Sequence, residues 1–163
     1  MDRRIVAWAE ISLVFLALYL GVPLAGLTID RGLGLPTFPL AVRLAGFAFL
    51  FVGLAGLAWC FSLFVRRGRG TPNPMLPPQV LVVQGPYAWT RNPIALSHAA
   101  ALFGLCLLLG SLSAAALVVV LSIPVNFAMR QEERTLEARF GDAYRAYAAT
   151  VPRWIPRPPR RQS

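Results

Sequence analysis

Ile94 to Met129 is a run of 36 residues without a formal charge. As one helix it would overshoot a hydrocarbon core of roughly 30 Å, which takes about 20 residues to cross. Gly110-Ser111 stands near its middle. The run therefore divides into two spans, 94–110 and 112–129, joined by a tight hairpin and each at the lower limit for crossing. Pro124 and Asn126 fall in the second of these, where a kink would turn carbonyls toward a cavity.

Two further apolar stretches precede this hairpin. Residues 44–65 carry no charge, and residues 5–27 carry only Glu10. Met1-Asp2-Arg3-Arg4 ahead of the first stretch has the form of a signal peptide. The stretch is long for a cleaved leader and lacks a small-x-small cleavage site, so it is expected to be a retained span. Four spans in 163 residues, 56% of them hydrophobic, predict an all-α membrane protein forming one domain.

Orientation follows from arginine. All 16 basic residues are Arg. Four spans place Arg3, Arg4, the Arg66-Arg67-Arg69 cluster, Arg91 and every Arg from Arg130 onward on one side, and only Arg31 and Arg43 on the other. The positive-inside bias then predicts that both termini and the loop after the second span are cytoplasmic. That loop is rich in proline (Pro72, Pro74, Pro77, Pro78), which favours extended chain, and Gln79 to Val83 is expected to lie extended against the helices. Beyond Met129, Leu136, Phe140, Tyr144, Tyr147 and Val151 recur at three- and four-residue spacing, the stripe of an amphipathic helix that Gly141-Asp142 interrupts.

The basic character does not point to nucleic acid, because the Arg residues flank apolar runs instead of covering a soluble face. Cys60 and Cys106 lie inside apolar runs and there is one His, so neither a disulfide framework nor a dedicated metal site is expected. No Gly-x-Gly-x-x-Gly follows a strand and no Gly-Lys-Ser/Thr loop occurs, which excludes dinucleotide-binding and P-loop domains.

Five features carry candidate chemistry, each with a plainer structural reading. Gln84 to Pro93 offers a close backbone approach at Gly85, a turn at Pro86, stacking faces at Tyr87 and Trp89, and a planar fork at Arg91, or else an interfacial aromatic belt with Pro93 opening a helix. Glu132 and Glu133, just outside the fourth span, suit a ribose diol, an ammonium or a sulfonium, or else pair with Arg130 and Arg134 on a solvated helix. His98, one turn inside the third span, is a base or a hydrogen-bonded structural ring. Glu10 is a buried carboxylate or reaches the interface. Arg153 beside Trp154 binds an anion or anchors the tail at the head groups.

In combination, Gly85-Pro86-Tyr87, Arg91-Asn92-Pro93, Glu132-Glu133, Leu136, Phe140-Gly141, Tyr144, Tyr147 and Val151-Pro152-Arg153-Trp154-Ile155-Pro156 resemble the integral-membrane isoprenylcysteine carboxyl methyltransferase and phospholipid methyltransferase superfamily. The Gly70-Thr71-Pro72, Pro74, Pro77-Pro78 and Leu81-Val82 segment is similar to a bacterial subgroup, so the resemblance covers about residues 70–156. It implies a methyltransferase dependent on S-adenosylmethionine in a bacterial cytoplasmic membrane. The cofactor pocket would face the cytoplasm, with a lateral opening for a membrane lipid or other hydrophobic acceptor.

The family's cofactor site maps onto Gly85, Tyr87, Arg91, Asn92, Pro93, Glu132 and Glu133, with backbone contacts from Leu81 and Val82. Asn92 stands where related members commonly carry His, and Ala95 and Ser97 where they carry Tyr and Gly. In that frame Arg91 is expected to orient the cofactor carboxylate, Glu133 its ribose or amino group, and Arg153 an acceptor carboxylate or phosphate. Glu133 or His98 would act as base for an amine. Carboxylate, amine and thiol acceptors all stay open. The rival readings are a four-span proton-coupled exporter using Glu10, a non-catalytic membrane adaptor of the same fold, and a relative of the nicotinamide-dependent steroid reductases.

Overall fold

A computed structural model describes residues 3–63, 66 and 79–158, with side chains from residue 13 onward. The chain is helical throughout its ordered elements: α1 (Arg3–Leu33), α2 (Leu40–Leu63), α3 (Pro93–Leu109), α4 (Leu112–Phe140) and α5 (Asp142–Thr150). A 3-10 turn, Gly85–Ala88, precedes α3, and among the described residues there is no strand. Leu13–Leu33, Leu40–Leu63 and Leu112–Phe140 are long and apolar enough to cross a membrane, and Pro93–Leu109 is a shorter apolar helix of 17 residues. This is the expected four-helix membrane architecture.

Large apolar side chains face outward along all of the long helices, among them Leu24, Phe47, Phe51, Val52, Val119 and Phe127. In water such a surface would be an aggregation hazard, whereas in lipid it is the solvated face. Inward packing rests on small residues. A Cβ on Gly46 would meet the Gly104 carbonyl oxygen at 2.6 Å, and one on Gly104 would meet that of Gly46 at the same distance, so α2 and α3 touch backbone to backbone. Gly26 of α1 lies equally close against Ala114 of α4. Val22, Leu102, Cys106, Ala114, Ala115 and Val118 form the core shared by α1, α3 and α4.

The hairpin between α3 and α4 is built as its sequence asks. Gly110 takes φ +76°, which ends α3 at little steric cost, and the Ser111 hydroxyl accepts from the Ala114 N–H to start α4. Asp30 of α1 holds the same corner, accepting from Ser111 Oγ at 2.5 Å and from the Ser113 N–H at 3.0 Å. Arg43 Nε donates to the Leu108 carbonyl beside it. This end of the bundle is thereby closed by polar contacts that involve all four long helices.

At the opposite end, α4 continues past Met129 as the sequence predicts, and it runs through Pro124 without interruption. Gly141 at φ +54° separates α4 from α5. Gly141 flanks both helices, and Asp142 stands in the first turn of α5 and pairs with Arg145. Of the Gln79 to Val83 segment, residues 79–80 bend and Leu81 to Val83 has no regular secondary structure, with Val82 buried. Residues 70–78, the proline-rich part of the loop, and the side chain of Glu10 lie outside the described residues.

Candidate functional site

The short segment from Thr90 to Pro93 leads into α3, and α4 brings Glu133 alongside it. The Pro152–Arg157 tail then folds back over both. Two backbone hydrogen bonds fix the tail: the Arg91 N–H donates to the Pro152 carbonyl at 2.9 Å, and the Arg157 N–H to the Trp89 carbonyl at 3.0 Å. The buried Thr90 hydroxyl donates to the Arg153 carbonyl at 2.8 Å, and Asn92 Nδ2 reaches the same oxygen at 3.3 Å. Trp154 Nε1 donates to Asn126 Oδ1 at 3.0 Å, which pins the tail to the membrane part of α4.

Glu133 is the centre of this arrangement and is 9% exposed. Arg153 donates to it twice, Nε to Oε1 at 2.9 Å and Nη2 to Oε2 at 2.6 Å. Arg91 Nη1 reaches Oε2 and Asn92 Nδ2 reaches Oε1, each at 3.3 Å. Burial pushes the Glu133 carboxyl up, but the hydrogen bonds from Arg153 and the charges of Arg91 and Arg153 outweigh it and hold the group below its ordinary range. The hydrogen bonds to Glu133 in turn raise the Arg153 guanidinium. The expected alternative partners, Arg130 and Arg134, make no ion pair with it.

Beside this clasp opens a cleft of about 740 Å³, walled by Arg91, Glu133 and Arg153 and by residues of α4 and α5 that include Tyr144. Two buried donors in the wall, Arg91 Nε and the Tyr144 hydroxyl, make no well-formed hydrogen bond, although the Arg91 side chain lies close enough to the Tyr144 oxygen to lower its phenol. Tyr144 is 3% exposed, and burial raises its phenol. Buried polar groups are nearly always paired, so two adjacent orphans in a cleft wall mark a place where a ligand atom completes the bonding. With a guanidinium and a phenol as the donors, that atom is an acceptor and carries negative charge with advantage.

The other predicted residues divide around this cleft. Tyr87 and Val82 are buried against Cys60 of α2, with Leu63 and Ile94 beside them, and the Tyr87 carbonyl accepts from the Tyr147 hydroxyl at 2.8 Å. Gly85 at φ +60° turns the chain where a Cβ would strike Leu63 and the Trp59 indole. Leu81 is half-buried and Pro93 buried at the start of α3. Glu132 is exposed and has no ion-pair or hydrogen-bond partner among the described residues. Crowding by protein and the Glu133 charge nevertheless raise its carboxyl.

His98 is not in the cleft wall. It stacks on Phe15 of α1 with ring centroids 4.0 Å apart, and its Nδ1 lies 3.2 Å from the Tyr19 hydroxyl, so it ties α3 to α1. Tyr144, Thr90 and Asn126 had no place among the predicted site residues. Tyr144 was visible as a member of the apolar stripe, where its hydroxyl carried no separate signal.

A family model described as phospholipid methyltransferase matches residues 42–143, more than half of the chain. The match takes in nearly all of α2, the whole of α3 and α4 and both Glu132 and Glu133, and it ends at residue 143, before Tyr144 and Arg153. No curated protein and no solved structure matches the chain.

Proposed function

The chain belongs to the phospholipid methyltransferase family, and on that premise we propose that it moves a methyl group from S-adenosylmethionine to a lipid-like acceptor at the cytoplasmic face of a membrane. One observation carries the reading: Glu133 gathers Arg91 and Arg153 from sequence-distant segments at one end of the helical hairpin, beside a cleft with two unpaired donors. The arginine distribution supports a cytoplasmic setting for that end and for both termini.

The cleft wall suits this cofactor at its carboxylate, whose lone pairs can satisfy Arg91 Nε and the Tyr144 hydroxyl together. When bound, the cofactor supplies an electrophilic methyl on a sulfonium, and alignment alone can lower the barrier to its in-line transfer by roughly 7–11 kcal/mol. Glu133, with Asn92 and Thr90 behind it, acts as a positioning residue: its oxygens are already engaged by Arg91, Asn92 and Arg153, so a ribose contact has to compete with them. Glu132 has the unpaired carboxylate and takes over the ammonium or ribose role. Leu81, Val82, Gly85, Tyr87 and Pro93 back the site on the side of α2. Arg153 keeps donors on its far edge for an acceptor anion.

An amine acceptor must lose a proton. Glu133 is held ionised by two guanidiniums and His98 stands outside the cleft wall, so neither is assigned that task. The test is incubation of the purified protein with methyl-labelled cofactor and total membrane lipid. Label is expected in the lipid phase for the unmodified chain and is expected to fall about tenfold in Arg91→Gln at cofactor concentrations below saturation. Absence of label from every lipid fraction contradicts the reading.

A further inference from the structure

The tail after α5 is tied down on two sides by different means. Its backbone bonds all go to residues 89–92: the Arg91 N–H donates to Pro152, the Thr90 hydroxyl and Asn92 Nδ2 to the Arg153 carbonyl, and the Arg157 N–H to Trp89. Its hold on α4, among the described residues, rests on hydrogen bonds from two adjacent side chains. Arg153 takes Glu133, and Trp154 Nε1 donates to Asn126 Oδ1 at 3.0 Å. One contact to a helix leaves a pivot, whereas two fix the angle.

Asn126 and Glu133 are seven residues apart, on one face of α4 and about 10 Å apart along its axis. Arg153 and Trp154 have α-carbons only about 3.8 Å apart, and the tail there has no regular secondary structure. Their side chains therefore diverge along α4, the indole toward the apolar run and the guanidinium toward the charged end. Between the two anchors stands Arg130, the first charge after that run, so the tail crosses α4 where hydrocarbon gives way to water. Asn126 lies on the apolar side, where a side-chain amide is costly unless bonded. Within residues 122–128 it is the one residue that is not exposed, and the indole N–H is its hydrogen-bond partner.

We propose that Asn126 is a positioning residue for methyl transfer: through Trp154 it sets the angle of the tail on α4, and with it the direction of the Arg153 fork. This rests on the methyl-transfer reading and adds a residue that lies outside the clasp and inside the membrane span. Arg153 engages Glu133 through Nε and Nη2, and its remaining edge keeps its direction only while the tail cannot turn. Arg91 does not depend on the Asn126 bond, since its N–H is tied to Pro152 and its Nη1 to Glu133. Loss of that bond therefore leaves the cofactor side of the cleft in place and misaligns the Arg153 side. Misplacement by about 1 Å can cost roughly 100-fold in rate, so a modest turn of the tail is enough to be read.

The test compares methyl transfer with cofactor binding in the full-length protein, using methyl-labelled S-adenosylmethionine and total membrane lipid in mixed micelles. Asn126→Leu keeps the bulk of the side chain and removes the acceptor. At saturating cofactor its transfer rate is expected to fall about tenfold, while the calorimetric Kd for the cofactor changes by less than about twofold. Trp154→Phe removes the N–H from the other side, is expected to match it, and carries the comparison should Asn126→Leu not fold. Ser122→Ala, which removes a hydroxyl bonded within α4, is the control, with transfer expected within about twofold. Asn126→Leu combined with Trp154→Phe leaves neither partner unpaired, so the melting temperature is expected to recover while the transfer rate stays low. In an Arg153→Lys background Asn126→Leu is expected to add less than about twofold, because the planar fork it aligns is gone.

A rate that recovers together with the melting temperature overturns the proposal and leaves a purely structural bond. So does a further tenfold loss in the Arg153→Lys background, or a cofactor affinity that falls in step with the rate. Transfer at the unmodified rate in Asn126→Leu and Trp154→Phe overturns the proposal and spares the methyl-transfer reading. No transfer by the unmodified protein removes that reading, and the role of Asn126 with it.

Discussion

Arg153 meets Glu133 edge to edge, with Nε on one carboxylate oxygen at 2.9 Å and Nη2 on the other at 2.6 Å. The pair joins the tail after α5 to the part of α4 beyond Met129, and Arg91 adds a third segment at 3.3 Å. Parallel donation of this kind depends on the guanidinium fork, which an ammonium cannot reproduce. Arg153→Lys is therefore expected to lower stability by about 1 kcal/mol in chemical unfolding from mixed micelles, despite keeping the charge. Glu133→Ala strips two cations of their counter-charge and is expected to cost about 2 kcal/mol, at the low end for a buried pair because solvent reaches Arg153.

The same pair sets a pH response. Glu133 has a native pKa below that of the unfolded chain, so its contribution is fully present above the ordinary carboxylate range of about 4 and is lost as pH falls through the lower native value. The melting-temperature difference between the unmodified protein and Glu133→Gln is expected to be constant from about pH 6 to 9 and to shrink below about pH 4. A difference that instead collapses near neutrality contradicts the assignment.

Asp30 makes the corresponding contact at the other end, through Ser111 Oγ and the Ser113 N–H. Asp30→Ala leaves the buried Ser111 hydroxyl without its acceptor and is expected to cost about 1–3 kcal/mol. Because the clasp around Glu133 is at the opposite end of the hairpin, cofactor affinity in the folded fraction is expected to be unchanged, as measured by calorimetry.

How far these relationships were legible in the sequence depends on their range. The spans were readable because an uncharged run of fixed length has few fates, and the breaks at Gly110 and Gly141 because glycine alone takes positive φ cheaply. The extended helix ends were less so: α1 continues through Asp30 and Arg31 to Leu33 because those charges can leave the hydrocarbon while the backbone stays helical. Glu132 and Glu133 were indistinguishable as letters. They project about 100° apart on one helix, and only the folded hairpin decides which meets Arg91 and Arg153. The Asp30–Ser111 contact, spanning 81 positions, left no local pattern at all. Tyr144 was read from its ring, whereas its role rests on a hydroxyl that is conspicuous only once every neighbour is in place.

Helix packing gives a further test. Gly46 and Gly104 face each other's carbonyl oxygens at 2.6 Å from a built Cβ, and backbone cannot yield as a side chain can. Gly104→Ala is expected to force α2 from α3 and cost about 1–3 kcal/mol, read as a lower melting temperature and a reduced monodisperse yield. Gly21→Ala is the control: nothing lies within 4 Å of its built Cβ, so stability is expected to hold or rise slightly with helix propensity.

Calorimetric titration of S-adenosylmethionine into the detergent-purified protein bears most directly on the claim that Arg91, Tyr144 and the Glu133 clasp frame a methyl-donor site. Saturable binding at one cofactor per chain is predicted, weakened about tenfold by Arg91→Gln and about threefold by Tyr144→Phe, which removes only the unpaired hydroxyl. Binding that is absent, or that is indifferent to both substitutions while the variants remain folded, contradicts it.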